Sequence, residues 1–118
     1  MKTFILAVAL LFSAPLLADV TASWTPGPAV PDVPVDEYRL YCTTRTDPYG
    51  TFISIPAPTT SVIFIQPEGA NKCVVTSVSN TNFTGTSLES VFSEEVIFYV
   101  ENGVVTNPSP NPPSLVIN

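Results

Sequence analysis

Apolar and polar residues alternate along most of this chain, and proline, glycine and asparagine interrupt the alternation. Val20-Thr-Ala-Ser-Trp24 puts Val20, Ala22 and Trp24 on one face of an extended strand. Asp36 to Thr44 alternates again, with Tyr38, Leu40 and Cys42 on one side and Arg39, Tyr41 and Thr43 on the other. β-Branched runs follow over Thr51–Ile55 and Thr59–Ile65, split by Pro56-Ala-Pro58. Pro67-Glu-Gly69 turns the chain into a strand over Cys73–Val78, and a polar loop covers Ser79 to Ser87. The last long strand is expected over Val91–Val100, with Val96, Phe98 and Val100 alternating against Glu95, Ile97 and Tyr99. Four prolines from Pro26 to Pro34 predict a stiff, extended loop, because a prolyl residue lacks the N–H that a ladder needs. Helical spacing is absent after residue 18, so the pattern predicts an all-β, antiparallel sandwich.

The first 18 residues, MKTFILAVALLFSAPLLA, differ from the rest. Lys2, an apolar run from Phe4 to Phe12, and the helix-breaking Ser13 and Pro15 describe a signal peptide with cleavage after Ala18. The run is shorter than the ~20 residues that span a bilayer, which makes an uncleaved anchor the lesser reading. The expected organisation is a signal peptide over 1–18, a domain over 19–101 and a Pro-rich tail over 102–118. The product is then secreted or periplasmic, with no membrane span after cleavage.

Charge and composition narrow the chemistry. The chain of 118 residues carries 10 Asp+Glu against 4 Lys+Arg, a net charge of −6, which excludes nucleic-acid binding through phosphate neutralisation. It has no His, the commonest general base and metal ligand. The doublets Asp36-Glu37 and Glu94-Glu95 lie on strand-like segments, where neighbours point to opposite faces and make no acid/base pair. An Asp-x-Asp calcium run, a Gly-rich phosphate loop and a Gly-x-Ser-x-Gly elbow are all missing. Neither catalytic residues nor a metal or other cofactor is expected, and the protein is expected not to be an enzyme.

Four stretches together resemble a fibronectin type III domain of the bacterial secreted kind. Val20-Thr-Ala-Ser-Trp24-Thr-Pro26 is similar to the family's strand B, and Glu37-Tyr38-Arg-Leu40-Tyr to its strand C. Val74-Val-Thr-Ser-Val78 is similar to strand F, and Glu89-Ser90-Val-Phe-Ser93-Glu-Glu95-Val96 to the lead into strand G. The resemblance implies an immunoglobulin-like sandwich with Trp24 and Tyr38 as core anchors. Three departures stand out: Asn71 takes the place of the tyrosine-corner Tyr, strand A is short or missing before Val20, and Cys42 and Cys73 occupy core positions. Strands C and F are antiparallel neighbours in that family, so Cys42 and Cys73 come side by side. One disulfide is the simplest outcome for an exported chain, and two buried thiols are the alternative.

With Tyr38, Leu40, Cys42, Cys73, Val75, Val96, Phe98 and Val100 as the inward set, the outward face of the C–F–G sheet comprises Arg39, Tyr41, Val74, Thr76, Val78, Glu95, Ile97 and Tyr99. Five of these eight are apolar or aromatic, unlike a normal solvent face. A patch of that kind marks an interaction surface unless the tail folds over it. The expected function is an exported, non-enzymatic binding module for another protein or for its own copies. The alternative is a carbohydrate-binding accessory module displaying Tyr49, Phe52 and Phe83. The tail contributes one more expectation: Pro110 to Asn118 resembles the missing strand A lead. Ser114–Asn118 is therefore expected to pair with an open strand edge, in its own domain or in a neighbour.

Overall fold

The computed structural model describes residues 17–106 and 115–117. The expected signal segment up to residue 16, and tail residues 107–114 and 118, lie outside the described residues. The strands in chain order are β1 (Leu17–Trp24), β2 (Glu37–Thr44), β3 (Phe52–Pro56), β4 (Ser61–Pro67), β5 (Gly69–Ser79), β6 (Leu88–Glu89), β7 (Val96–Glu101), β8 (Val104–Thr106) and β9 (Leu115–Ile117). They form two antiparallel sheets, one ordered β4-β1-β9 and the other β3-β2-β5-β7-β8, with β6 also pairing to β5. The all-β sandwich read from the alternation is the observed architecture.

Period two explains the core. Ala18, Val20, Ala22 and Trp24 of β1 face Tyr38 and Leu40 of β2, Cys73 and Val75 of β5, and Val96, Phe98 and Val100 of β7, all buried in one cluster. Trp24 meets Tyr38 edge-on with ring centroids 5.5 Å apart, a favoured geometry for two aromatic quadrupoles. Among the described residues the Trp24 indole N–H has no acceptor, and this anchor works by packing. β1 opens at Leu17, opposite Pro67, and buries Ala18. The expected processing point after Ala18 therefore falls inside a strand.

Cys42 and Cys73 face each other on β2 and β5 and form a disulfide, with Cα atoms 4.2 Å apart. That separation is close to the ~4.5 Å of the narrower kind of antiparallel pair.

Three expectations need correction. The Pro26–Pro34 segment is not extended throughout: Val33 donates its N–H to the Val30 carbonyl at 3.2 Å, and Asp32 takes φ 62° in the turn between them. Asp tolerates that conformation better than most residues. The last long strand begins at Val96, not Val91, for a reason given below. The sheet does not end at Glu101 either. Asn102 and Gly103 both have positive φ (53° and 76°), the geometry of a tight two-residue hairpin that adds β8. The expected pairing of the tail with an open strand edge is observed. Its β9 pairs with β1, Ala22 opposite Ile117 and Trp24 opposite Leu115, inside its own domain. It occupies the edge expected to be bare.

Asn71 anchors the turn that leads into β5. It is fully buried; its Nδ2 donates to the carbonyls of Pro67 (2.9 Å) and Gly69 (3.1 Å), and its Oδ1 accepts from Gln66 Nε2 at 2.9 Å. Three bonds on one side chain hold the crossing from β4 to β5, which passes through Gly69 at φ 103°.

Candidate functional site

The outward face of the larger sheet is built from β2, β5 and the approach to β7. Along β5, Ser77 and Val75 would ordinarily pair with a regular strand. Instead the hydroxyls of Ser90 and Ser93 accept their N–H groups at 2.9 and 3.0 Å. The N–H groups of Ser90 and Ser93 in turn donate to the Ser77 and Val75 carbonyls, at 2.9 and 3.0 Å. Two side chains thus take the place of ladder groups, and the chain between them arches away. This is why Val91–Ser93 is not strand. The arch displays Val91 and Phe92, which are 88% and 51% exposed.

Phe92 completes a row of aromatic rings. Tyr41 lies 5.3 Å from Phe52 and 5.2 Å from Phe92, and Phe92 lies 5.6 Å from Tyr49, centroid to centroid. Arg39 sits 4.5 Å over the Phe52 ring and the Lys72 ammonium 4.8 Å from the Tyr49 ring, within cation–π range at each end. Carboxylates tie the polar edges. Glu89 accepts from Tyr41 (2.5 Å), Thr76 (2.7 Å) and Arg39 (3.1 Å); Glu95 accepts from Tyr49 (2.7 Å); Glu37 accepts from Ser54 (2.6 Å) and Arg39 (3.3 Å).

The expected interaction residues therefore divide. Arg39 and Tyr41 belong to the row. Val74, Thr76 and Val78 have the expected outward parity but are only 2%, 2% and 1% exposed, so they lie beneath the surface of this face. They stand opposite Tyr41, Arg39 and Glu37 on β2, and the Glu89 carboxylate closes over Thr76. Ile97 is half-buried, opposite Lys72. Tyr99 lies further along β7, beside a shallow depression lined by Glu68 and Gly69. Of the carbohydrate candidates, Tyr49 and Phe52 enter the row, whereas Phe83 stands 75% exposed on the separate 80–87 loop. Phe92, Glu89 and Lys72 were not singled out by alternation; the Ser90-x-x-Ser93 spacing was the available signal.

The network stabilises charge and donates hydrogen bonds. Burial, together with the hydrogen bond to Glu95, pushes the Tyr49 hydroxyl far above the usual tyrosine range, and burial likewise raises Tyr41. Glu89 is held below its ordinary 4.5, first by the Tyr41 hydroxyl and then by Thr76; Ser54 does the same for Glu37. The folded state thus favours the ionised carboxylates. Their contribution is complete above the unfolded value and is lost as pH falls through the lower folded one. The melting temperature should accordingly fall as pH drops below 4.5, and Glu89→Gln should flatten that fall. An acid limb equally steep in wild type and variant would remove Glu89 from this role.

Among the described residues, no three His, Cys, Asp or Glu side chains converge to hold a metal ion. No described helix is long and apolar enough to cross a membrane. No family model, curated protein or solved structure matches this chain.

Proposed function

We propose that the chain is an exported, fibronectin type III-like, non-enzymatic binding module that recognises another protein through the Phe52–Tyr41–Phe92–Tyr49 row. The carrying observation is the row itself: four rings 5.2–5.6 Å apart on one sheet face, with cations over both end rings. Tyr, Phe and Arg are the residues that concentrate binding energy in protein interfaces. The strand orders support the family reading, with β1, β2, β5 and β7 in the places of strands B, C, F and G and β9 in the place of strand A. The disulfide supports folding in an oxidising compartment, periplasmic or external.

A carbohydrate-binding module is the second reading, since Tyr49 and Phe52 are displayed together. Sugar rings favour flat platforms, however, and these aromatic planes are inclined to one another by 53–66°. The test immobilises the oxidised protein and offers it envelope extract and, separately, polysaccharides. Phe92→Ala should weaken capture of the protein partner by roughly tenfold or more, as loss of an interface hot spot does. Its melting temperature should hold, because Phe92 is half-exposed. Equal capture by both forms removes the row from the interface; polysaccharide binding abolished by Tyr49→Ala establishes the second reading.

A further inference from the structure

The free edge of β4 carries an inference independent of the aromatic row. Among the described residues β4 pairs on one side only, with β1. Register decides which of its backbone groups are free. Trp24 donates its N–H to the Thr60 carbonyl at 3.0 Å, and Ser23 stands opposite Ser61, so Trp24 and Thr60 form a hydrogen-bonded pair. Such pairs alternate along an antiparallel ladder. Val62, Phe64 and Gln66 therefore direct their N–H and C=O groups at β1. Those of Ser61, Ile63 and Ile65 point outward, away from the sheet.

Native sheets commonly protect such an edge with charge, a bulge or a covering segment. Here no charged residue occurs from Thr51 to Pro67, in a chain of net charge −6. The side chains on the same register positions are also bare: Ile63 is 69% and Ile65 57% exposed. β-Branched, uncharged and unpaired, this stretch has the composition of a strand that adds to another strand.

We propose that β4 pairs antiparallel with β4 of a second copy of this chain, about a two-fold axis at Ile63. Ile63 then stands opposite Ile63 of the partner subunit, and Ser61 opposite Ile65 of the partner subunit. The same three residues supply every donor and acceptor on both sides, so the contact is isologous and closes as a dimer. Two further observations select a second copy as the occupant. Copies of net charge −6 repel each other, and a stretch without charged residues is where they approach at least electrostatic cost. Pro67, the next position with outward orientation, has no N–H, so the pairing ends there and its register cannot slide past it. The two three-stranded sheets become one continuous sheet across the axis.

Sedimentation velocity on the oxidised full chain tests this. Wild type should sediment as a dimer. Ile63→Lys, which sets two ammonium groups face to face at the axis, should halve the mass. Ile65→Glu should do the same, and it decides the matter if Ile63→Lys fails to fold by circular dichroism. Phe92→Ala should remain a dimer. A monomeric wild type, a dimer indifferent to both edge charges, or a mass that climbs past the dimer with concentration each overturns the proposal.

Discussion

Ile117→Ala should destabilise the domain by about 2–4 kcal/mol, the usual cost of emptying a fully buried aliphatic site. For a domain of this size that lowers the melting temperature by more than about 10 °C. The expectation rests on position. Ile117 is 0% exposed, stands opposite Ala22 and belongs to the same cluster as Val20, Leu40 and Phe98. A residue near the end of the chain is ordinarily among the most tolerant of change. Deleting Leu115–Ile117 should cost at least as much, because Ala22–Trp24 lose their paired neighbours as well as the packing. Val91→Ala is the control: its side chain is 88% exposed and lies away from the β4 edge, and surface truncations stay within about 0.5 kcal/mol. Thermal melts of the three variants beside wild type settle the point. An Ile117→Ala loss no larger than the Val91→Ala loss would show that β9 does not complete the core.

Removing the Cys42–Cys73 bridge should cost a comparable amount. The cross-link closes a loop with a sequence separation of 31, for which the chain-entropy argument gives roughly 3–4 kcal/mol. Cys73 is buried at 0% exposure, so the cleanest variant fills rather than empties its site: Cys42→Ala with Cys73→Val. Denaturant unfolding should show a lower midpoint for this pair of changes. Protein folded under oxidising conditions should release no titratable thiol when denatured. Two titratable thiols, or a midpoint equal to wild type, would contradict the stabilising role of the bridge.

How much of this was legible beforehand depends on how local the cause is. Strand faces depend on alternation alone, so Trp24, Leu40 and Phe98 were placed in the core from their neighbours two positions away. The cysteine pair was legible once β2 and β5 were taken as neighbours, because both positions share inward parity. Parity does not give accessibility, however. Val74, Thr76 and Val78 point outward as expected, yet all three are buried, with the Glu89 carboxylate bonded to Thr76, and that requires knowing where residues 88–95 run. Phe92 was read as ordinary strand because nothing in alternation reveals that Ser90 and Ser93 pair through hydroxyls. The β7–β8 hairpin was legible in Asn102-Gly103 between Val100-Glu101 and Val104-Val105, and the Pro-rich residues beyond drew the reading toward a tail. Asn71 looked like the loss of a corner. Its three hydrogen bonds depend on the path of Pro67–Gly69 in space, which no sequence pattern states.

The place of β9 also governs the order in which the molecule can be completed. Whether a chain emerges from a ribosome or through a translocation pore, it emerges from its N-terminal side, and β9 follows every other described strand. The larger sheet can form from strands close behind one another, β2 with β3 and β5 with β7. Its smaller partner cannot: Ala22 to Trp24 wait for Leu115 to Ile117, nearly the full length of the chain later. Contacts that distant are slow to form, because a long loop must close before they contribute. Until residue 117 is free, the newborn domain therefore carries one finished sheet and one open seam. It is in that interval, more than in the finished fold, that it is most exposed to proteases and to wrong strand partners.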